Sequence, residues 1–143
     1  MIEPTLALQT AIRNRLAGSP NIAALVDPEN IRAGSSRPDD TPCIIMSNAS
    51  TSLHGHDYRA QRCAWASFDL HIWAMDREAE VNGEDIVKEI AFAITQALDK
   101  HSLQIDGGYV DHCRVTHSAF PRDPQPTFGH GILSVEALIR WIV

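Results

Sequence analysis

Arg62-Cys63-Ala64-Trp65-Ala66-Ser67-Phe68-Asp69-Leu70-His71-Ile72-Trp73-Ala74 decides the fold. Side chains on a strand alternate between two faces, so Ala64, Ala66, Phe68, Leu70, Ile72 and Ala74 share one apolar face. Cys63, Trp65, Ser67, Asp69, His71 and Trp73 share the other. The run predicts a long strand laid against a core. Its second face sets two indoles beside a carboxylate and an imidazole, a mixture that neither a plain core nor a plain solvated surface explains, and a subunit interface does.

Upstream of this strand, Thr51 to Gln61 is polar and contains His54, Gly55, His56, Asp57, Tyr58 and Arg59. It is too long for a tight hairpin turn and predicts a projecting loop. Before it, turn-forming residues 34–42 end at Pro42, and Cys43-Ile44-Ile45-Met46 opens a strand expected to run to about Ser50. A first helix is expected over residues 4–17. Pro4 suits its first turn, Leu6, Leu8, Ala11, Ile12 and Leu16 recur near helical spacing, and Gly18-Ser19-Pro20 stops it. Ile22, Ala23, Leu25 and Val26 give one further helical turn.

Downstream, residues 77–100 read as a second helix. Val81, Ile86, Ile90, Ala93, Ile94, Ala97 and Leu98 form its apolar stripe, and Glu78, Glu80, Glu84 and Asp85 suit its N-terminal dipole. Asp106-Gly107-Gly108 marks a turn, and Tyr109 to Ala119 a strand that ends before the proline cluster at 121–126. Gly129-His130-Gly131 reads as another turn. The closing strand, about 131 to 142, alternates Leu133, Val135, Ala137, Ile139 and Trp141 with Ser134, Glu136 and Arg140. This order predicts one α+β domain over residues 1–143, with a mainly antiparallel four- to five-stranded sheet and two main helices packed on one face.

A chain of 143 residues is long enough for one sizeable core. Its net charge of −6 and its lack of a Lys or Arg run exclude a protein that grips phosphate backbones. Three cysteines, Cys43, Cys63 and Cys113, with no C-x-x-C spacing, spell neither a disulfide framework nor a zinc ribbon and read as buried thiols in a reducing compartment. Met1 to Thr5 lacks a basic segment followed by an apolar run, and no stretch approaches the ~20 apolar residues of a membrane span. The expectation is therefore a protein made and used in the cytosol, without a membrane partner.

Potential metal ligands are present at His54, His56, Cys63, His112, Cys113 and His117, but their spacing matches no zinc pattern. His112 and His117, five apart on a strand, are expected to face opposite sides. His71 has no nucleophile elbow to accompany it. Adjacent carboxylates Asp39-Asp40 and Glu84-Asp85 stand at a loop and a helix start, positions suited to turns and caps rather than acid–base work. No catalytic residue, cofactor or metal is assigned. A small metal-dependent enzyme using the histidines and Cys113 remains the competing class.

Four features together resemble the tail-completion (tail terminator) proteins of long-tailed phages and gene transfer agents. They are the Leu6–Leu16 helix, the strand entry Thr41-Pro42-Cys43-Ile44-Ile45, the strand Ser67-Phe68-Asp69-Leu70-His71-Ile72-Trp73, and the helix Ile86–Leu98 before a closing pair of strands. The resemblance implies a structural virion protein. It would form a hexameric ring at the head-proximal end of the tail tube, stop tube polymerisation and meet the head-side stopper or connector, with double-stranded DNA passing through the lumen unbound. Assembly would take place in the host cytoplasm. A neck stopper or head-closure protein is the neighbouring alternative. A closed ring needs two different patches in contact, and the candidate interface residues are His54, His56, Asp57, Tyr58, Arg59, Trp65, His71 and Trp73.

Overall fold

The computed structural model describes residues 3–34, 41–56, 61–77, 82–99, 103–122 and 128–142. The chain enters through helices α1 (Pro4–Ala17) and α2 (Pro20–Ala23), followed by a 3-10 turn, Pro28–Asn30. Strands β1 (Ile31–Ala33), β2 (Cys43–His56) and β3 (Gln61–Met75) come next, then helix α3 (Gly83–Asp99). Strands β4 (Gln104–Ile105), β5 (Gly108–Ala119) and β6 (Phe128–Ile142) complete the fold. The sheet has the order β1-β2-β3-β6-β5-β4, and every pairing is antiparallel except β1 with β2.

The decisive stretch is central. β3 pairs along its whole length with β6, from Gln61 opposite Ile142 to Met75 opposite Phe128. The side chains of its apolar face, Ala64, Ala66, Phe68, Leu70, Ile72 and Ala74, are all buried, none more than 3% exposed, and they line the core with Leu133, Val135, Ala137 and Ile139 of β6. Both long helices close that face. Leu8, Ile12 and Leu16 of α1 and Ile90 and Ile94 of α3 are fully buried against it.

Local chemistry places the helix ends. The Glu3 carboxylate accepts from Leu6 N at 3.0 Å and Pro4 takes the first turn, as expected for residues 4–17. The Arg15 guanidinium donates to Ala97 O at 3.2 Å and ties the end of α1 to the last turn of α3. α3 begins at Gly83 rather than at residue 77. Asn82 Oδ1 accepts from Glu84 N at 2.7 Å and Asp76 Oδ1 from Gly83 N at 2.6 Å, so the helix starts six residues beyond the expected position. Val81, counted in the expected stripe, lies outside the described residues. No described helix is long and apolar enough to cross a membrane.

Four expectations need correction. Among the described residues the sheet has six strands, because β1 and β4, of three and two residues, were too short to announce themselves. β2 runs on to His56, so His54, Gly55 and His56 belong to a strand and not to a loop. Register shifts between Ser47 and Ser50 and between Leu53 and His56 break its alternation, which hid it from a period-two reading. Gly129-His130-Gly131 lies inside β6 and is no turn. A Cβ at Gly129 would run into the backbone of Gly83, so glycine here lets the first turn of α3 rest on the strand.

The fourth correction concerns His112 and His117. Register shifts at Val110/His112 and Val115/His117 insert extra residues, so His112 stands opposite Leu138 and His117 opposite Ser134. Leu138 and Ser134 are four apart on β6 and share a face. The two histidines therefore share that face too.

Candidate interface

Opposite the helices, the sheet presents the face on which Trp65, Asp69, His71 and Trp73 were expected. All four are half-buried. The register extends their rows across the neighbouring strands: Trp65 lies beside Ser52 and Leu138, Ser67 beside Ser50 and Glu136, and Asp69 beside Ser47 and Ser134. His71 stands between Ile45 and Ile132, and Trp73 between Cys43 and His130.

Towards one end of this face three rings stack. The Trp73 and His130 rings are 4.4 Å apart at 7°, His71 and Trp73 5.4 Å apart at 14°, and His71 and His130 5.3 Å apart at 19°. His71 Nδ1 and His130 Nε2 are 3.1 Å apart, so one imidazole donates to the other and at least one of the two is neutral. Burial holds His71 below the ordinary imidazole pKa, opposed in part by the Asp69 carboxylate. The Trp73 indole N–H is buried without a hydrogen-bond partner in the structure.

The middle of the face is polar and internally tied. Asp69 accepts from Asn48 Nδ2 at 3.1 Å and from Ser134 Oγ at 3.2 Å. Asn48 takes the left-handed conformation, φ 56°, at the first β2 register shift, and its short amide tolerates this while reaching the carboxylate. The Ser50 and Ser67 hydroxyls meet at 2.7 Å. Farther along, Trp65 meets the His112 ring edge to face at 6.4 Å.

Of the eight candidate residues, the structure brings Trp65, His71 and Trp73 onto one face. His54 and His56 belong to the backbone of β2, and Asp57, Tyr58 and Arg59 lie outside the described residues. His130, Ile132, Leu138 and His112 were missed as members of this surface. His130 was hidden in what read as a glycine turn, and His112 behind a bulge that no alternation count detects.

Among the described residues, no group of three His, Cys, Asp or Glu side chains is placed to hold a metal ion. Cys113 stands opposite Ala137 and packs against the core, on the face away from His112 and His117. Burial pushes the Cys43 thiol up to about 11 and Cys113 up to about 12, so neither is a thiolate nucleophile at neutral pH. Cys43 is buried as expected, whereas Cys63 and Cys113 are only half-buried.

A subunit that seals one sheet face with its own helices and leaves the other half-covered fits the class of structural assembly proteins. Residues 10–140 match the family model of tail completion protein gp17, and the chain belongs to that family. It is accordingly a phage-type tail structural protein, and its place is the virion or phage-like particle. Among solved structures, a chain from the virion of a native gene transfer agent particle has the same fold. Its TM-score is 0.75 at 18% identity, over 94% of this chain and 95% of that one. A search of curated proteins finds no match.

Proposed function

We propose that this protein is a tail terminator: a ring-forming, non-catalytic subunit that caps the tail tube, stops its polymerisation and joins the tail to the head side, with DNA passing through the lumen. The observation that carries the reading is the family match across residues 10–140, nearly the whole of the chain. The sheet face suits the role. Stacked rings at His71, Trp73 and His130 and a tied polar centre at Asp69 offer a rigid surface with little side-chain entropy left to lose on association.

In this reading the chain acts as one domain, and Trp65, His71 and Trp73 contact a neighbouring subunit or the tube. The segment His54, His56, Asp57, Tyr58 and Arg59 joins them in that contact. The net charge of −6 suits a lumen that lets DNA pass without sticking. The partners are further copies in a hexamer, the tail tube protein and a head-side stopper or connector. Mass by light scattering, with and without the tail tube protein, tests this. A hexamer, or a monomer that becomes a ring on tube ends, is the expected result. A chain that stays monomeric and ignores tubes overturns it, and a ring that binds only the head-side partner assigns it to the neck stopper instead.

A further inference from the structure

The sheet ends on two strands that lack a neighbour over most of their length. β1 covers only Ile44, Ile45 and Met46 of β2, and β4 covers only Gly108 and Tyr109 of β5. Among the described residues, Ser47–His56 of β2 and Val110–Ala119 of β5 are therefore paired on one side alone. Their exposure agrees. Every residue from Asn48 to Leu53 is exposed, as are Asp111, His112, Arg114, Thr116, His117 and Ser118.

An open edge is a row of unpaired N–H and C=O groups, and proteins that must stay monomeric blunt such edges with charge or proline. The β2 edge carries neither. From Ser47 to His56 there is no Lys, Arg, Asp, Glu or Pro, and Leu53 is 73% exposed. The β5 edge carries Arg114 and Asp111, the latter paired with Arg140 of its own chain. An uncharged β2 edge gives them no like charge to oppose.

Strand direction selects the pairing. β2 runs against β3, β3 against β6 and β6 against β5, so β2 and β5 run in opposite senses. A second copy related by rotation about an axis along the strands lays its β2 antiparallel to the first copy's β5, continuing the alternation already present. Two unlike edges then meet, which is the heterologous contact that a ring needs.

We propose that Ser47–His56 of β2 pairs with Val110–Ala119 of β5 in a second copy of this chain, so that the sheet continues from subunit to subunit. This rests on the ring reading and specifies how the ring is joined. The two register shifts in each edge strand bend it, and that bend sets the angle between successive sheets.

Amide hydrogen exchange of the full chain, at concentrations above and below assembly and on tube ends, reads the proposed bonds directly. Slowed exchange within 47–56 and 110–119, appearing together with the oligomer mass, is the expected result. A ring in which both segments exchange as they do in the monomer overturns the edge pairing and leaves the terminator reading standing. A chain that is monomeric under all these conditions overturns both. Thr51→Pro and Ser52→Pro add a second readout, because adjacent residues present their N–H groups to opposite sides of β2. The variant whose missing N–H faced the open edge keeps its circular dichroism and loses the oligomer; if that folded variant assembles normally, the pairing is wrong.

Discussion

The two faces of β3 are built from neighbouring residues and solve opposite problems. On the helix side, Phe68, Leu70 and Ile72 are buried by α1 and α3 of the same chain. On the other side, Asp69, His71 and Trp73 are half-buried and satisfied only in part: one carboxylate is doubly bonded, one imidazole is pushed down in pKa, and one indole N–H is left without a partner. Stability resides in the first face. The second keeps groups only partly satisfied within the chain, which is what the proposed ring contact would use.

The sharpest way to break that contrast is to cut the same strand on each side. Ile72→Ala should destabilise the monomer by roughly 2–5 kcal/mol, since it empties a fully buried site in the core. His71→Ala, one residue away, should change monomer stability by less than about 1 kcal/mol, because it removes a half-exposed ring and no core volume. Urea unfolding of both variants below the assembly concentration measures the difference. Equal losses would mean that the outer face is as much a core as the inner one.

Gly129→Ala sharpens the inner side. The new methyl would meet the Gly83 backbone, which cannot move without lifting the first turn of α3 from β6. A loss of about 1–3 kcal/mol is expected from thermal or urea unfolding, the usual range for overpacking. An unchanged stability would mean that α3 can shift its start without penalty.

Much of this was legible in advance where one side of a strand or helix faces a core. The alternation at 62–74, the stripe from Ile86 to Leu98 and the closing strand all rest on burial, and burial writes its period into the sequence. What escaped was written in backbone terms. The far half of β2 is polar on both sides, so nothing in its composition distinguishes a strand from a loop, and its bulges scramble what alternation there is. Gly129 and Gly131 serve a close helix approach that becomes visible only once α3 is in place. Of the outer face, Trp65, Asp69, His71 and Trp73 could be read from one strand. His130 and His112 arrive from β6 and β5, and their arrival depends on register.

The outer face should also respond to pH. The folded-state pKa of His71 lies below its unfolded value because of burial, so between those two values the unfolded chain binds the extra proton. The stability this residue confers is intact above its unfolded pKa, about 6.5, and declines as pH falls through the window down to the depressed folded value. Asp69 works in the other direction and softens the decline. Monomer stability measured from pH 7.5 to 5.5 should fall, and His71→Gln should flatten the slope. An identical slope in the variant would assign the pH dependence to other groups.

The smallest effect belongs to the solvent side of α3. Glu84 and Lys88 pair at 3.6 Å with both side chains about half exposed, 53% and 52%. Water and salt screen such a pair, and holding two long side chains together offsets most of the attraction, leaving about 0.3–0.5 kcal/mol for an i,i+4 contact. Lys88 also lies 5.8 Å from the Phe120 ring centroid, so removing Lys88 would mix two losses. Glu84→Gln isolates the ion pair better, although the change also withdraws a charge from the first turn of the helix, where the dipole favours it. Salt screens both contributions. The loss in Glu84→Gln should be under about 1 kcal/mol at low ionic strength and shrink at 1 M salt, where the screening length is about 3 Å. A loss that persists in high salt would show that the carboxylate is held by geometry rather than charge, and that the helix side of the molecule also keeps a built polar contact at its surface.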